Sequence, residues 1–327
     1  MEQIRHVTIP VNGLNMHVAE AGSGPLVLLL HGFPELGYSW RHQLPALAAA
    51  GYRAVAPDLR GHGRTDGPSD VDGYGMAEHI ADAVALLDAL GAQTATLVGH
   101  DWGANTAWAA AELHPERFTS IAALSVPHRP RSPRPPIEML RTFTGDRFNW
   151  MLHFQEPGLA ESEFSADVPR AMRLMLYGLS GDAGDLGVHL LTELPRNAVL
   201  LNEIPEPPTP LSWLTTADLS YYSTEYERTG FTGALNRYRN ADRDWHHLPT
   251  LATNPLPQPA LFLAGALDTA VRYGNLSTMR DLAPNLADPI VLPGAGHWIQ
   301  QERPAEVNAA LIEFLLRLPP VPDKDTV

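Results

Sequence analysis

The stretch that decides the fold is a short turn between two regular segments, Val98-Gly99-His100-Asp101-Trp102-Gly103. The residues that lead into it, 94–98, are a run of β-formers, and the alanine-rich residues that follow, 104–113, favour a helix. Glycines on both sides of the turn allow the backbone to bend sharply. The pattern predicts a strand, a tight turn and a helix, with the side chain of Asp101 exposed above the end of the strand.

The composition excludes several classes of protein. Of 327 residues, 44% are hydrophobic and 18% are charged, a balance typical of a globular protein. The formal net charge of -14 disfavours binding to nucleic acid and to anionic membranes. Residues 1–13 lack the apolar segment of a signal peptide, and the aliphatic run 26–30 is too short to span a bilayer. Since the chain also has no cysteine, we expect a cytoplasmic protein. We expect it to be a monomer or a homodimer.

Strand signals occur near both ends of the chain but not in its middle. Buried parallel strands are indicated by six aliphatic runs, at residues 26–30, 53–56, 94–98, 121–126, 260–264 and 289–292. Residues 129–136, with four prolines and three arginines, end the first group, and the residues from 137 to about 245 favour helices. We therefore expect a core formed by residues 1–130 and 246–327, with residues 131–245 inserted as a helical cap.

Two further residues complete a catalytic pattern with Asp101. Asp268 comes just after the predicted strand 260–264, and His297 comes just after the last predicted strand. Nucleophile, acid and histidine follow one another in the chain order of a hydrolase triad. Because the carboxyl ends of parallel strands meet at one edge of a sheet, we expect the three side chains to lie close together. The other histidines show no paired metal-ligand spacing, so we predict neither a metal nor a cofactor.

With these residues identified, the chain resembles the α/β-hydrolase fold family and, within it, the epoxide hydrolases. The resemblance rests on six stretches: His31-Gly32-Phe33-Pro34-Glu35, Asp58-Leu59-Arg60-Gly61-His62-Gly63, Gly99-His100-Asp101-Trp102-Gly103, Phe154-Gln155-Glu156-Pro157-Gly158, Leu235-Asn236-Arg237-Tyr238-Arg239-Asn240 and Gly294-Ala295-Gly296-His297-Trp298. The first and third are shared with haloalkane dehalogenases, whereas the two cap stretches favour epoxide hydrolases. The resemblance implies an α/β fold with a mostly parallel eight-stranded sheet, flanking helices and an inserted helical cap.

The resemblance also implies a mechanism. Asp101 would attack an epoxide carbon and form a covalent alkyl ester, and His297, oriented by Asp268, would activate the water that hydrolyses the ester. The backbone N–H groups of Phe33 and Trp102 would hold the oxyanion of that second step. Of the two cap tyrosines that hold the epoxide oxygen in the family, Tyr238 matches the second.

The chain departs from the family where the first of these tyrosines is expected, because that position is Trp150. An indole N–H donates one hydrogen bond but does not give up its proton. One hypothesis is that Trp150 holds the epoxide oxygen while Tyr238 acts as the acid. The alternative is that Trp150 only lines an apolar pocket.

Two other functions stay open at this point. The first is a haloalkane dehalogenase in which the indole groups of Trp102 and Trp150 hold the leaving halide. Against it, Phe33 stands where many dehalogenases carry asparagine, and Tyr238 would have no role. The second is a non-catalytic protein that binds a small molecule, against which the intact Asp101, Asp268 and His297 argue.

The substrate is predicted only by class. Large apolar residues in and near the cap indicate a pocket for a small apolar epoxide, including an aromatic one, which would react with water. The candidate lining residues are Trp40, Met139, Phe143, Met175, Leu179 and Trp213.

Overall fold

Eight strands form a single sheet in the computed structural model, which describes residues 3–272 and 276–319. They are β1 (Arg5–Val11), β2 (Leu14–Ala21), β3 (Leu26–Leu30), β4 (Arg53–Pro57), β5 (Ala95–His100), β6 (Phe118–Leu124), β7 (Ala260–Gly265) and β8 (Ile290–Leu292). Their order across the sheet is β1-β2-β4-β3-β5-β6-β7-β8, with β2 antiparallel to both β1 and β4 and the remaining pairs parallel. The predicted fold class is confirmed.

The strands form where the sequence provides continuous apolar runs. All five residues of β3 and all six of β5 are buried, as expected for parallel strands covered on both faces. The antiparallel pair β1–β2 is joined at Asn12-Gly13, whose φ values of 47° and 78° suit the two-residue turns that fit the twist of a hairpin.

The helices lie on both faces of the sheet and in one long insertion. They are α1 (Gln43–Ala49), α2 (Met76–Ala89), α3 (Trp102–Leu113), α4 (Pro136–Thr144), α5 (Trp150–His153), α6 (Leu159–Ser165), α7 (Val168–Gly178), α8 (Leu186–Thr192), α9 (Thr216–Thr229), α10 (Thr232–Arg239), α11 (Ala241–His247), α12 (Thr269–Arg272), α13 (Met279–Leu282), α14 (Ile299–Glu302) and α15 (Pro304–Arg317). Helices α4 to α11 all lie between β6 and β7. No helix within the two described ranges combines the length and apolarity needed to cross a bilayer.

Alternate residues of β3 pack into separate cores on the two faces of the sheet. Leu28 belongs to the cluster covered by α2 and α3, whereas Leu29 belongs to the cluster covered by α1 and α15. A third buried cluster is formed mainly by α6 to α10 and includes Phe33 and Trp298 from the core. The inserted helices therefore pack over the carboxyl edge of the sheet, where the loops that follow β3 and β8 carry these two residues.

Candidate active site

The turn between β5 and α3 carries Asp101 in an unusual backbone conformation. Its φ of 52° and ψ of -120° lie in a region that few residues other than glycine adopt. The turn is tightly packed, because a Cβ atom on Gly99 would collide with the carbonyl of Gly103, and one on Gly103 with that of Leu30. Because of this strained turn, Asp101 lies just before helix α3 and its carboxylate lines a cavity.

His297 lies between the carboxylates of Asp101 and Asp268. Its Nδ1 is 2.9 Å from Asp268 Oδ2, and its Nε2 is 3.7 Å from Asp101 Oδ2. Asp268 follows β7 and His297 follows β8, so both side chains start from the same edge of the sheet as Asp101. Asp268 also accepts a hydrogen bond from the Ala270 N–H at 2.8 Å, which fixes its carboxylate. The three predicted triad residues are therefore brought together around one imidazole ring.

Charge interactions among Asp101, Asp268 and His297 shift the pKa of each residue toward its charged form. Burial raises the pKa of Asp101 and of Asp268, but the facing His297 outweighs burial and lowers both. Burial alone would lower the pKa of His297, yet the carboxylates of Asp268 and Asp101 raise it well above its ordinary value. These shifts favour ionised carboxylates and a protonated imidazole.

The backbone of the loop after β3 approaches Asp101 closely. The Phe33 N–H donates a hydrogen bond to Asp101 Oδ1 at 2.9 Å. A Cβ atom on Gly32 would collide with the same carboxylate, so this close approach needs a glycine. Trp102 is the first residue of α3, and a backbone N–H at that position has no carbonyl partner inside the helix. The two predicted oxyanion donors thus both flank Asp101, one of them already bonded to it.

The opposite wall of the site is aromatic and comes from the cap. Tyr238, on α10, is 3% exposed, and its ring makes edge contacts with Phe33, Trp102 and Trp150 at centroid distances of 5.7, 5.1 and 5.5 Å. Burial and the negative charge of Asp101 raise the pKa of Tyr238 well above its ordinary value. The hydroxyl therefore stays protonated and is available as a donor.

Hydrogen bonds join the segment that follows Trp150 to the stretch that carries Tyr238. Arg239 donates to the Phe154 carbonyl at 3.0 Å and pairs with Glu161 at 2.8 Å. Gln155 donates to the Tyr238 carbonyl at 3.2 Å. The short helix α5 thereby holds Trp150 beside α10.

A cavity of about 550 Å³ lies between the core and cap walls. Its lining includes eight of the predicted site residues: Phe33, Asp101, Trp102, Trp150, Met175, Leu179, Tyr238 and His297. Asp268 is 1% exposed and lies behind His297, where it acts on the ring and not on the cavity.

Four predicted pocket residues do not line this cavity. Trp40 is fully buried in the cluster beneath the sheet that α1 and α15 cover. On α4 the buried residues are Ile137 and Thr144, two turns apart on one face. Met139 and Phe143, four residues apart, share a different face, and Phe143 is 68% exposed.

The fourth, Trp213, lies in the loop before α9. It is half-buried against the cap cluster, and its indole N–H donates to Asp182 Oδ2 at 3.0 Å. The side chain is therefore engaged at the cap surface and does not line the cavity.

A buried network of hydrogen bonds lies behind His297. Glu35 Oε2 is 2.6 Å from His100 Nδ1, and His100 Nε2 is 2.7 Å from the His297 carbonyl. Glu35 Oε1 accepts further hydrogen bonds from Gln300 and Gln301, at 2.8 and 2.7 Å. His100 thus supports the backbone of His297. In the sequence, Glu35 and His100 are marked only by their positions in two of the stretches that resemble the family.

Nothing in the described ranges suggests a metal centre. Among residues 3–272 and 276–319, no group of three or more His, Asp or Glu side chains is arranged to hold an ion. The chemistry available to the site is that of an ionised carboxylate, an imidazole, a phenol, an indole and backbone N–H groups.

Comparison with known proteins gives consistent matches. Residues 25–175 match the model of a family described as alpha/beta hydrolase fold. Epoxide hydrolase A of Mycobacterium tuberculosis is 44% identical over 312 residues, which cover 95% of this chain and 97% of that protein. Epoxide hydrolase 3 of Siraitia grosvenorii is 42% identical, over 96% of this chain and 99% of that protein.

The solved structures to which this chain is similar are also epoxide hydrolases. The crystal structure of epoxide hydrolase A from Mycobacterium thermoresistibile superposes with a TM-score of 0.91 at 45% identity, covering 98% of this chain and 99% of that one. Epoxide hydrolase I of potato, Solanum tuberosum, gives a TM-score of 0.88 at 35% identity, covering 97% of this chain and 100% of that one.

Proposed function

The chain belongs to the epoxide hydrolases of the α/β-hydrolase fold, and on that basis we propose that it converts an epoxide to a vicinal diol through a covalent ester on Asp101. The observation that carries this mechanism is the position of His297, with a carboxylate near each ring nitrogen and Tyr238 among the residues lining the same cavity. An ionised Asp101 is a competent nucleophile, and a histidine paired with a second carboxylate is a competent base.

In the first step Asp101 attacks one epoxide carbon, and the C–O bond at that carbon breaks. The departing oxygen develops negative charge in an apolar cavity, where it needs a hydrogen-bond donor. Tyr238 gives its proton to this oxygen, which becomes the first hydroxyl of the diol. Trp150 donates its indole N–H to the same oxygen but keeps the proton.

Formation of the ester changes the state of His297. Because alkylation removes the negative charge of Asp101, one of the two carboxylates that raise the pKa of His297 is lost. The pKa of the ring therefore falls, and its proton returns to the Tyr238 phenolate. The neutral imidazole that results is a base, oriented by Asp268.

In the second step His297 takes a proton from water, and the hydroxide attacks the carbonyl carbon of the ester. The N–H groups of Phe33 and Trp102 hold the oxyanion, each contributing about 3 kcal/mol of transition-state stabilisation. When the intermediate collapses, the leaving oxygen takes the proton from His297 and becomes the second hydroxyl. Asp101, now a carboxylic acid, passes its proton to His297, and the resting state is restored.

One observation favours a second candidate activity, the cleavage of a carbon–halogen bond. The Trp102 Nε1 atom is buried and makes no hydrogen bond of normal geometry within the described part of the chain, although its N–H acts on the Tyr238 hydroxyl. Together with Trp150 it could hold a halide that leaves from a carbon attacked by Asp101. Diol formation without halide release, measured on an epoxide and on a haloalkane of the same chain length, would exclude this activity.

The cavity supports an epoxide with an apolar chain as the substrate. Apolar side chains from the cap, including Met175, Leu179 and Leu190, line it beside Trp150 and Tyr238. We propose residues 131–245 as the cap that closes this cavity over the core. The cytoplasmic location and a monomer or homodimer stay predictions from the sequence.

A single turnover in heavy-oxygen water tests the covalent mechanism. With the enzyme in excess over a neutral epoxide, the first diol should contain no heavy oxygen, because its second oxygen comes from Asp101. Heavy oxygen should instead appear in the peptide that contains Asp101. Heavy oxygen in the diol of the first turnover would mean that water attacks the epoxide directly, and the mechanism would be wrong.

A further inference from the structure

The cavity extends beyond the catalytic residues to a basic wall. His128, Arg129, Arg131 and Ser132, which follow β6, all line it. The His128 ring stacks on Trp108 of α3 at a centroid distance of 4.9 Å. Trp108 is seven residues along the chain from Asp101, and the rise of a helix places it about 10 Å away along the axis. The basic wall is thus roughly one medium-length alkyl chain from the nucleophile.

The two arginines of this wall bond to main-chain carbonyls and not to carboxylates. Arg129 donates to the Ala270 carbonyl at 2.9 Å, and Arg131 donates to the carbonyls of Leu248 and Trp245. Arg131 also stacks on the Trp245 ring at 4.3 Å. Throughout residues 3–272 and 276–319, neither guanidinium group forms an ion pair with a carboxylate. Arg129 is exposed at the edge of the cavity and Arg131 is half-buried, so both guanidinium groups line the cavity without such an ion pair.

Two carboxylates near this wall are engaged elsewhere. Asp244 lines the cavity but pairs with Arg237 at 2.6 Å. Asp268 acts on Arg129 through its charge, yet its oxygens are bonded to His297 and to the Ala270 N–H. Neither is free to neutralise an arginine.

A buried imidazole adds a second polar group to the same wall. His128 is 4% exposed, and its Nε2 has no hydrogen-bond partner in the described ranges. Burial lowers the pKa of His128 to about 4, so the ring is neutral at physiological pH. A buried polar atom without a partner is costly unless a ligand or water satisfies it.

We propose that His128, Arg129 and Arg131 form a subsite for a carboxylate at the far end of the substrate, so that the preferred epoxide carries an acid group on an apolar chain. This inference rests on the proposed function, since it names the substrate class of the same cavity. Arginine binds a carboxylate through parallel N–H donors, and such charge-assisted bonds are stronger than neutral ones. Trp108, Val126 and Leu251, which also line the cavity, contact the chain between its two ends.

A matched pair of substrates tests the subsite. The terminal epoxide of undecanoate and its neutral primary amide have the same chain and nearly the same shape. The wild-type enzyme should show a kcat/KM about tenfold higher for the acid, mainly through KM, as expected for one charge-assisted hydrogen bond. Arg129→Gln should abolish this preference and leave turnover of the amide within about twofold. Arg129→Lys, which keeps the charge, should restore part of it.

Arg134 provides the matched control. It lies in the same loop, pairs with Glu138 at 3.1 Å and does not line the cavity. Arg134→Gln makes the same charge change and should leave the preference for the acid intact. Equal kcat/KM values for acid and amide in the wild type, or equal losses in the Arg129 and Arg134 variants, would overturn the subsite.

Calorimetry separates this inference from the catalytic proposal. Decanoate and decanamide do not react, so their binding is independent of Asp101 chemistry. Decanoate should bind the wild type about tenfold more tightly than decanamide, and Arg129→Gln should remove the difference. If no epoxide is turned over but this difference is found, the mechanism fails and the subsite stands. If both ligands bind equally, the subsite is wrong whatever the activity.

Discussion

The core wall and the cap wall of the active site are held in place by different forces. On the core side, Asp101, Asp268 and His297 are fixed by hydrogen bonds between charged groups and by backbone N–H donors. On the cap side, Tyr238 and Trp150 are held by ring contacts and by hydrogen bonds to main-chain carbonyls. Substitutions in the core wall should therefore change charges and proton transfer. Substitutions in the cap wall should remove either the acid that protonates the substrate or the ring packing around it.

Tyr238→Phe should have the largest effect among the substitutions that test this comparison. The variant keeps the ring and its contacts but loses the only phenol proposed to protonate the departing oxygen. The rate of ester formation should fall by roughly a thousandfold, within the usual range for general acid catalysis. Stopped-flow measurement of the first step, with circular dichroism as the control for folding, checks it. Near-normal turnover would remove Tyr238 from the mechanism.

Asp268→Asn should come next, with an effect of roughly a hundredfold on ester hydrolysis. The Asp268 carboxylate raises the pKa of His297, so its removal lowers that pKa. Hydrolysis requires the neutral ring, and activity is lost on the acid side where the ring is protonated. The acid limb of the pH profile should therefore move to lower pH, as measured by hydrolysis of the preformed ester. A shift to higher pH would contradict the assigned pairing.

Trp150→Phe should have a smaller effect, about tenfold or less on ester formation, because the indole donates a hydrogen bond but no proton. Tyr238→Phe and Trp150→Phe thus compare an acid with a donor on the same wall. If Trp150→Phe changes KM but not the rate of ester formation, Trp150 only lines the pocket. Paired single-turnover measurements on the two variants distinguish these outcomes.

Phe143→Ala should have no measurable effect on kcat/KM. The side chain is 68% exposed on α4, and substitutions at such positions usually change stability by less than about 0.5 kcal/mol. A clear loss of activity would show that Phe143 reaches the substrate, as the sequence predicted.

The core wall could be predicted from the sequence because its signals are local. Residues that directly follow a parallel strand lie at the carboxyl edge of the sheet. A glycine-flanked turn, or a loop with an acid or a histidine, marks where such a strand ends. Asp101, Asp268 and His297 each follow such a strand. Their proximity then follows from the parallel order of β5, β7 and β8 in the sheet.

The cap wall and the support behind His297 could not be predicted in the same way. Hydrophobicity marks Phe143 and Met175 alike, but only packing decides that the first is exposed and the second lines the cavity. The bond between Glu35 and His100 joins residues 65 positions apart, and that between His100 and the His297 carbonyl spans 197. No local pattern records which of these distant groups meet.

Trapping of the ester in His297→Gln tests the central claim most directly. This variant keeps Asp101 and the cap donors but lacks the base for hydrolysis, so an epoxide should add its full mass to the protein once and stay attached. Peptide mass spectrometry should locate the adduct on Asp101, and Asp101→Asn in the same background should abolish it. An adduct at another residue, or steady diol formation by His297→Gln without any adduct, would contradict the covalent mechanism.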